Sequence, residues 1–555
     1  MATIWLLLGI AIIAQAHVVK KLHDEEATLE WPAQYTVKAV RTSLTDNVIE
    51  TYEYWRTPKR SRIDYNGGYV KSIVKRGLND YKYGVQYLVY PIASESQEVE
   101  TVCLIEAGKR SSRKSIESLL PEDVDYYTVV GNEEVNNIES VKFEYNDAQG
   151  ASESRLSIWA SYDEHEKIWM PVRYELLEFN NWLGQKDKHE VWDFFSFEKS
   201  FSIRDVFDEE PYDCEEAYTD SSEESTNVNT SHKNLLFLNP DNVEHVNKVF
   251  HAFKRDFGRN YADEKEHALR RSIFRKNMRR VIQHNRQNLG YKLALNHFSD
   301  KTPEEMKKHM GLLRRPEGKK GNIPFPYDDG KLKEVATDLP TEYDARLLGL
   351  VTKIKNQEEC GSCWTFGTTA AVEGALARVN GGRLLSLSNQ AIVDCAWPFG
   401  ASGCSGGFDG AAYEWMMEYG LPTEAEYGPY LNQDGVCHIK NMTKIYPIRG
   451  YTDVTPLSIE ALKIALVNHG PISVSIQAST DAFGLYSSGI FYDSDCSQTE
   501  LDHEVTLVGY GERDGDTFWI LKNSWGPEWG IAGYMYISTR DNNCGVASEP
   551  TYVVF

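Results

Sequence analysis

The 555-residue chain is short of positive charge, of long apolar runs and of cysteine, and each shortage excludes something. Lys and Arg number 59 against 82 Asp and Glu, a formal charge of −23 at pH 7. Nothing offsets phosphate repulsion over most of such a chain, which argues against a nucleic-acid binder. A solvated acidic surface suits a protein that must stay soluble in an acidic compartment. After residue 16 no apolar run reaches the ~20 residues that a membrane-spanning helix needs, so no transmembrane segment is expected. Cysteine is sparse, and its count of nine is odd, so one thiol is left over if the rest pair. Residues 17–214 carry no metal cluster, nucleophile motif or Gly-rich phosphate loop.

What is present describes folded protein: 41% hydrophobic and 12% aromatic residues over a length that predicts two to four domains. Residues 1–16, MATIWLLLGIAIIAQA, run apolar from Ile4 to Ile13 and end in the small-x-small triplet Ala14-Gln15-Ala16. That pattern predicts a secretory signal cleaved before His17, although its start carries no Lys or Arg. The secretory lumen is oxidising, so most cysteines are expected in disulfides. Two sequons, at Asn229 and Asn441, are candidate glycosylation sites on the same route.

Residues 17–214 alternate like strands. RTSLTDNVIETYEYW, RIDYNGGYVKSIV, RLSIWASYD and KIWMPVRYELLEF are rich in Tyr, Trp and Val, with a hairpin signal at Asn66-Gly67-Gly68. The expectation is an antiparallel β domain, a strongly curved or barrel-like sheet, with its two cysteines, Cys103 and Cys214, paired. Residues 215–240 are acidic, rich in Ser and Thr, and poor in large apolar side chains, and they read as a linker open to proteolysis.

Residues 241–338 change character. VNKVFHAFKRDFGRNYADEKEHALRRSIFRKNMRRVIQHN has helical spacing at Val249, Phe250 and Phe253, then at Leu269, Ile273, Phe274, Met278, Val281 and Ile282. Over 244–314 there are 17 Lys and Arg against 8 Asp and Glu; over 339–555 the balance reverses to 12 against 26. Opposite signs on adjacent regions predict that they dock. Residues 339–555 mix one strong helix, from Ser362 to about Arg378, with short strands such as HEVTLVGYG and TFWILKNSW. That is an α+β pattern with a helical half and a β half.

CGSCWTFG, Cys360 to Gly367, sets two thiols ahead of that helix. A thiol is a useful nucleophile only as its thiolate, which a cationic neighbour and a helix N-terminus favour. Cys363 sits where the helix begins, whereas Cys360 lies outside it before Gly361. The second thiol is therefore the candidate nucleophile and the first a brace. Taken alone, Cys-x-x-Cys also fits a zinc site or thioredoxin-like redox chemistry.

With its surroundings, CGSCW resembles the nucleophile signature of papain and the cathepsins, a family signature that expects His and Asn far downstream. LDHEVTLVGYG supplies His503, LKNSWGPEWG supplies Asn523, and NQEECGSCW supplies Gln357. The resemblance implies a papain-like two-lobed domain over 339–555 acting as a cysteine endopeptidase on protein and peptide substrates, with no cofactor and no metal. Cys363 would attack, His503 would move the proton, Asn523 would orient the imidazole, and Gln357 would hold the oxyanion. It also implies the disulfides Cys360–Cys404, Cys395–Cys437 and Cys496–Cys544, leaving Cys363 alone. Family substrate-binding positions map to Phe408, Asp409, Ser475, Leu501, Glu504 and Glu549, with Trp525 covering the His503–Asn523 bond. An acid at Glu549 could accept Arg at P2, and Glu504 departs from the small residue usual after the catalytic His.

Glu266, Arg270, Phe274, Asn277, Val281 and Asn285 resemble the ERFNIN pattern of cathepsin L-like propeptides. Ala294, Asn296, Phe298 and Asp300 resemble its companion GNFD motif with Ala for Gly. In that resemblance residues 241–338 are the chain's own inhibitor, released at acid pH as carboxylates protonate, by cleavage before about Leu339. The short Cys395–Cys404 spacing leaves no room for the His-bearing loop of the carboxypeptidase relative. The whole layout resembles the two-chain haemocyte cysteine proteinases of insects. That implies an N-terminal chain retained as a subunit and a lysosomal or secreted-granule location. Two other readings fit part of this pattern, a binding protein with a dormant protease and a transamidating enzyme. The intact four residues speak against the first, and the ERFNIN segment against the second.

Overall fold

The computed structural model describes residues 28–555 apart from 46–47, 94–98, 111, 150–151, 181–184, 204–205, 210–211, 217–238, 241, 288 and 441. The segment expected as a signal, Asn229, Asn441 and most of the expected linker lie outside the described residues. The chain divides into two compact units, residues 1–220 and 221–555. Among the described residues no helix is long and apolar enough to cross a membrane.

The first unit is one twelve-stranded sheet: β1 Tyr35–Ser43, β2 Val48–Thr57, β3 Arg60–Tyr65, β4 Val70–Lys75, β5 Val85–Ala93, β6 Val99–Ala107, β7 Thr128–Val135, β8 Ile138–Gln149, β9 Ser152–Asp163, β10 Ile168–Asn180, β11 Gln185–Glu198 and β12 Cys214–Glu216. Their order is β12-β6-β5-β4-β3-β2-β1-β11-β10-β9-β8-β7. Along β1 the buried residues Tyr35, Val37 and Ala39 alternate with more exposed ones, the period-two pattern of a strand with one face covered. The β3–β4 turn places Asn66, Gly67 and Gly68 at φ of 48°, 71° and 85°, a left-handed run that glycine and asparagine tolerate best. Eleven strands pair antiparallel; β12 pairs parallel with β6, where Cys214 faces Cys103 and a disulfide joins them. Barrel-like closure is not made: among the described residues the ladder ends at β7 and β12. Two apolar clusters cover the sheet, one around Phe143, Ile158 and Trp169 and one around Ile73, Tyr87 and Phe207.

The second unit begins with two helices. Asn242 caps Val243–Asp256 and Asp263 caps Glu264–Asn285, each side chain accepting from backbone N–H groups of the first turn. Phe250 and Phe253 of the first helix pack on Phe274 of the second, at 5.2 and 4.9 Å between ring centroids. Beyond the helices, strand Tyr291–Leu293 adds antiparallel to Tyr486–Phe491, extending the sheet of the C-terminal region.

Residues 339–555 build two cores. One is helical, around Trp364, Val372, Ile392, Tyr413 and Trp415; the other lines the sheet, around Leu462, Val474, Leu507, Trp519 and Met535. Helix Cys363–Val379 is buried on all sides from Cys363 to Ala377, as an apolar helix inside a domain must be. It meets the sheet at Gly367, where a Cβ would lie 2.9 Å from Glu504 Cγ, so the close approach depends on glycine.

Residues 241–338 dock on residues 339–555 through ion pairs. Lys301 meets Glu359 at 2.6 Å, Arg280 meets Asp481 at 2.7 Å, and Arg315 meets Asp409 and Asp453, each at 2.6 Å. Lys319 adds a pair with Glu414.

Candidate active site

Cys363 is the first residue of its helix and is fully buried. The disulfide Cys360–Cys404 anchors the loop before it, and Cys395–Cys437 and Cys496–Cys544 brace the two lobes. Cys363 is the free thiol. Strand His503–Arg513 begins with His503, and Asn523 follows the end of strand Asp516–Lys522. These strands pair, so the sheet brings two residues twenty apart in sequence together: His503 Nε2 lies 2.8 Å from Asn523 Oδ1. That contact leaves Nδ1 as the free nitrogen, buried and without a hydrogen-bond partner. The Trp525 ring lies 4.8 Å from the imidazole and is itself buried.

Gln357 completes the group. Its Oε1 accepts from Ser524 Oγ at 2.7 Å, which fixes the amide so that Nε2 donates to the carbonyls of His309 and Cys360, each at 3.0 Å. Ser524 was not singled out from the sequence, although it stands beside Asn523 in NSW.

The basic segment fills this cleft as an extended main chain. Gly311 N–H donates to Cys363 Sγ at 3.3 Å. Leu312 N–H donates to Asp502 O at 3.1 Å, Leu313 N–H to Gly407 O at 2.7 Å, and Gly407 N–H to Gly311 O at 2.9 Å. Gly311 is required by contact: a Cβ there would lie 1.8 Å from Gly361 O. Neither His309 nor Gly311 carries a sequence signal for this role, because backbone atoms make the contacts.

Burial sets the protonation states. It pushes the Cys363 thiol up to about 12, despite backbone N–H groups that favour the thiolate. Burial also lowers His503, against the Asn523 bond that raises it. With the cleft covered, both groups are therefore neutral. The helix N-terminus, expected to favour a thiolate, contributes only ~1–2 kcal/mol and is outweighed by loss of solvent.

The mapped substrate positions are not equivalent. Phe408, Asp409, Ser475 and Glu504 are buried, Leu501 is half-buried beside Gly545, and Glu549 is exposed. Glu504 accepts a hydrogen bond from Ser473 Oγ, and burial raises its carboxyl well above the usual range.

Comparison with known proteins agrees with this geometry. Residues 339–554 match the papain family cysteine protease model, and residues 250–306 match the cathepsin propeptide inhibitor domain. Cathepsin L2 of Homo sapiens is 39% identical over 297 residues, which cover 52% of this chain and 86% of that protein. Digestive cysteine proteinase 2 of Homarus americanus is 39% identical over 327 residues, covering 57% and 98%. The structure of digestive procathepsin L2 from Tenebrio molitor larval midgut matches with a TM-score of 0.53 at 33% identity, covering 56% of this chain and 100% of that one. With the cleft residues and the segment lying across them in view, the chain belongs to the papain family of cysteine proteases, of the cathepsin L-like kind with a propeptide.

Proposed function

We propose that the chain is a cysteine endopeptidase that hydrolyses peptide bonds through Cys363, His503, Asn523 and Gln357, and that acid opens its zymogen. One observation carries this reading: a peptide main chain already lies in the cleft, with Gly311 N–H on Sγ and the His309 carbonyl on Gln357 Nε2. A carbonyl held by that amide stands where the developing oxyanion would be stabilised.

Once the prosegment leaves, solvent returns and the thiol can pass its proton to His503 Nδ1. The thiolate attacks the substrate carbonyl carbon, and the oxyanion accepts from Gln357 Nε2 and the Cys363 backbone N–H. His503 protonates the departing amine as the C–N bond breaks, leaving a thioester. His503 then takes a proton from water, hydroxide attacks, and the thioester C–S bond breaks to free the acid. Asn523 holds the imidazole with Nδ1 toward sulfur throughout.

Passage through the secretory route to a lysosome or granule belongs to the same reading, as does retention of the N-terminal chain. Native mass measurement after acid treatment tests retention: separate particles would refute it. The activity is tested by hydrolysis of fluorogenic peptides by acid-treated wild type and Cys363→Ala. Cleavage lost in the variant is expected; cleavage kept by it, or no cleavage by processed wild type, refutes the assignment.

A further inference from the structure

Arg315 of the prosegment is held by two carboxylates that take no part in bond breaking. Its Nη2 donates to both oxygens of Asp409, at 2.8 and 2.6 Å, and its Nη1 donates to Asp453 Oδ1 at 2.6 Å. The Asp409 side chain is 7% exposed and is fixed further by Thr551 Oγ1 and the Gly410 N–H, each at 2.7 Å. Asp453 ends strand Gly450–Asp453 and is 31% exposed, with its second oxygen accepting from Gly321 N–H.

The place of this pair in the cleft matters. Gly407, whose backbone brackets Leu312 through Gly311 O and Leu313 N–H, stands two residues before Asp409. Arg315 therefore closes the same stretch of chain that covers Cys363, and its guanidinium lies beside the substrate-binding wall. Glu504 stands in the same field: burial first, then Asp409 and Glu549, disfavour charge on it, while Arg315 favours it. Glu549, the acid singled out from the sequence, is exposed, and the guanidinium hydrogen bonds go to Asp409 and Asp453 instead.

When the prosegment leaves, a buried carboxylate loses its cation, which is costly until another replaces it. We propose that Asp409 and Asp453 form a cation subsite selecting a basic side chain, Arg above Lys, at the second residue on the acyl side of the scissile bond, P2. Arg315 is its internal occupant in the zymogen. The fork of three hydrogen bonds to two carboxylates is guanidinium geometry, which an ammonium group cannot reproduce. This inference rests on the peptidase reading of the cleft.

The test uses the acid-activated chain and three peptides that differ only at P2: Arg, its neutral isostere citrulline, and Leu. The kcat/KM for Arg should exceed that for citrulline by about tenfold or more, the scale of a charge-assisted hydrogen bond. Asp453→Asn, at a half-exposed position that tolerates the change, should narrow that ratio several-fold. Equal rates for Arg and citrulline in the wild type, or a ratio unmoved by Asp453→Asn, would overturn the subsite. Cleavage of the Leu peptide without an Arg preference sinks this inference alone. Cleavage of none of the three sinks the peptidase reading and this inference with it.

Discussion

Lowering the pH from 7 to 5 should loosen the prosegment chiefly through three buried histidines. Burial lowers His284 to about 4, His297 to about 3 and His309 to about 4, from 6.5. His284 also faces Lys292 and the Tyr291 carbonyl; His297 faces His309, Arg259 and Lys301; His309 faces Lys301 and His503, with Glu359 acting in the opposite sense. His297 and His309 both pack on Phe298, at 4.0 and 5.0 Å, and Phe298 packs on Trp525 at 5.1 Å. Their packed values lie below the free value, so their packing is fully stable above pH 6.5 and weakens as pH falls toward about 4. At pH 5 each histidine costs the packed state roughly 2 kcal/mol relative to pH 7, or roughly 6 kcal/mol for the three. Glu359, held below its ordinary value chiefly by the Lys301 hydrogen bond, stays charged until pH falls below the usual carboxylate range. On this reasoning buried histidines contribute to the trigger alongside the carboxylates suggested by the charge pattern. Amide hydrogen exchange at Leu312 and Leu313 in the Cys363→Ala zymogen reads the opening directly. Between pH 6 and 5 the logarithm of protection should fall with a slope between two and three. In His297→Leu/His309→Leu it should fall with a slope near one. An unchanged slope in the double variant would refute the reasoning.

Gly311→Ala should expel the prosegment from Cys363, because the added Cβ meets backbone rather than a movable side chain; peptidase activity of the unprocessed chain at pH 7 should rise, and continued latency would contradict it. Gln357→Ala should lower kcat by about 10²–10³ with a smaller effect on KM if the amide takes the proposed oxyanion role; steady-state kinetics on the activated enzyme check this. Replacing Cys103 and Cys214 by Ser opens a bridge between residues 111 apart in sequence, and should destabilise the N-terminal unit by ~4–5 kcal/mol in chemical denaturation. The peptidase unit should unfold as before.

Short-range patterns were the most legible. Alternating Tyr, Trp and Val residues predict strands in residues 17–214, and the Phe250, Phe253 and Phe274 spacing predicts helices that pack on each other. CGSCW, LDHEVTLVGYG and LKNSWGPEWG name Cys363, His503 and Asn523, the residues proposed for the chemistry, because side-chain identity is written in the sequence. The opposed charge balances of 244–314 and 339–555 foretell docking, since net charge is a sum that needs no coordinates. Backbone contacts leave no such trace. The Gly311 N–H on sulfur, the His309 carbonyl on Gln357 and the Leu313–Gly407 bond are main-chain contacts that almost any residue could make. Burial is likewise a property of the assembled unit: it is the largest cause holding Cys363 and His503 neutral and lowering His284, His297 and His309, and it hides Glu504 while leaving Glu549 exposed. Strand order also escaped: a curved or barrel-like sheet was legible, but not that its ladder ends at β7 and β12 among the described residues. Residue identity and periodicity are local, and the sequence states them; solvent exclusion and main-chain neighbours are collective, and only the tertiary structure decides them.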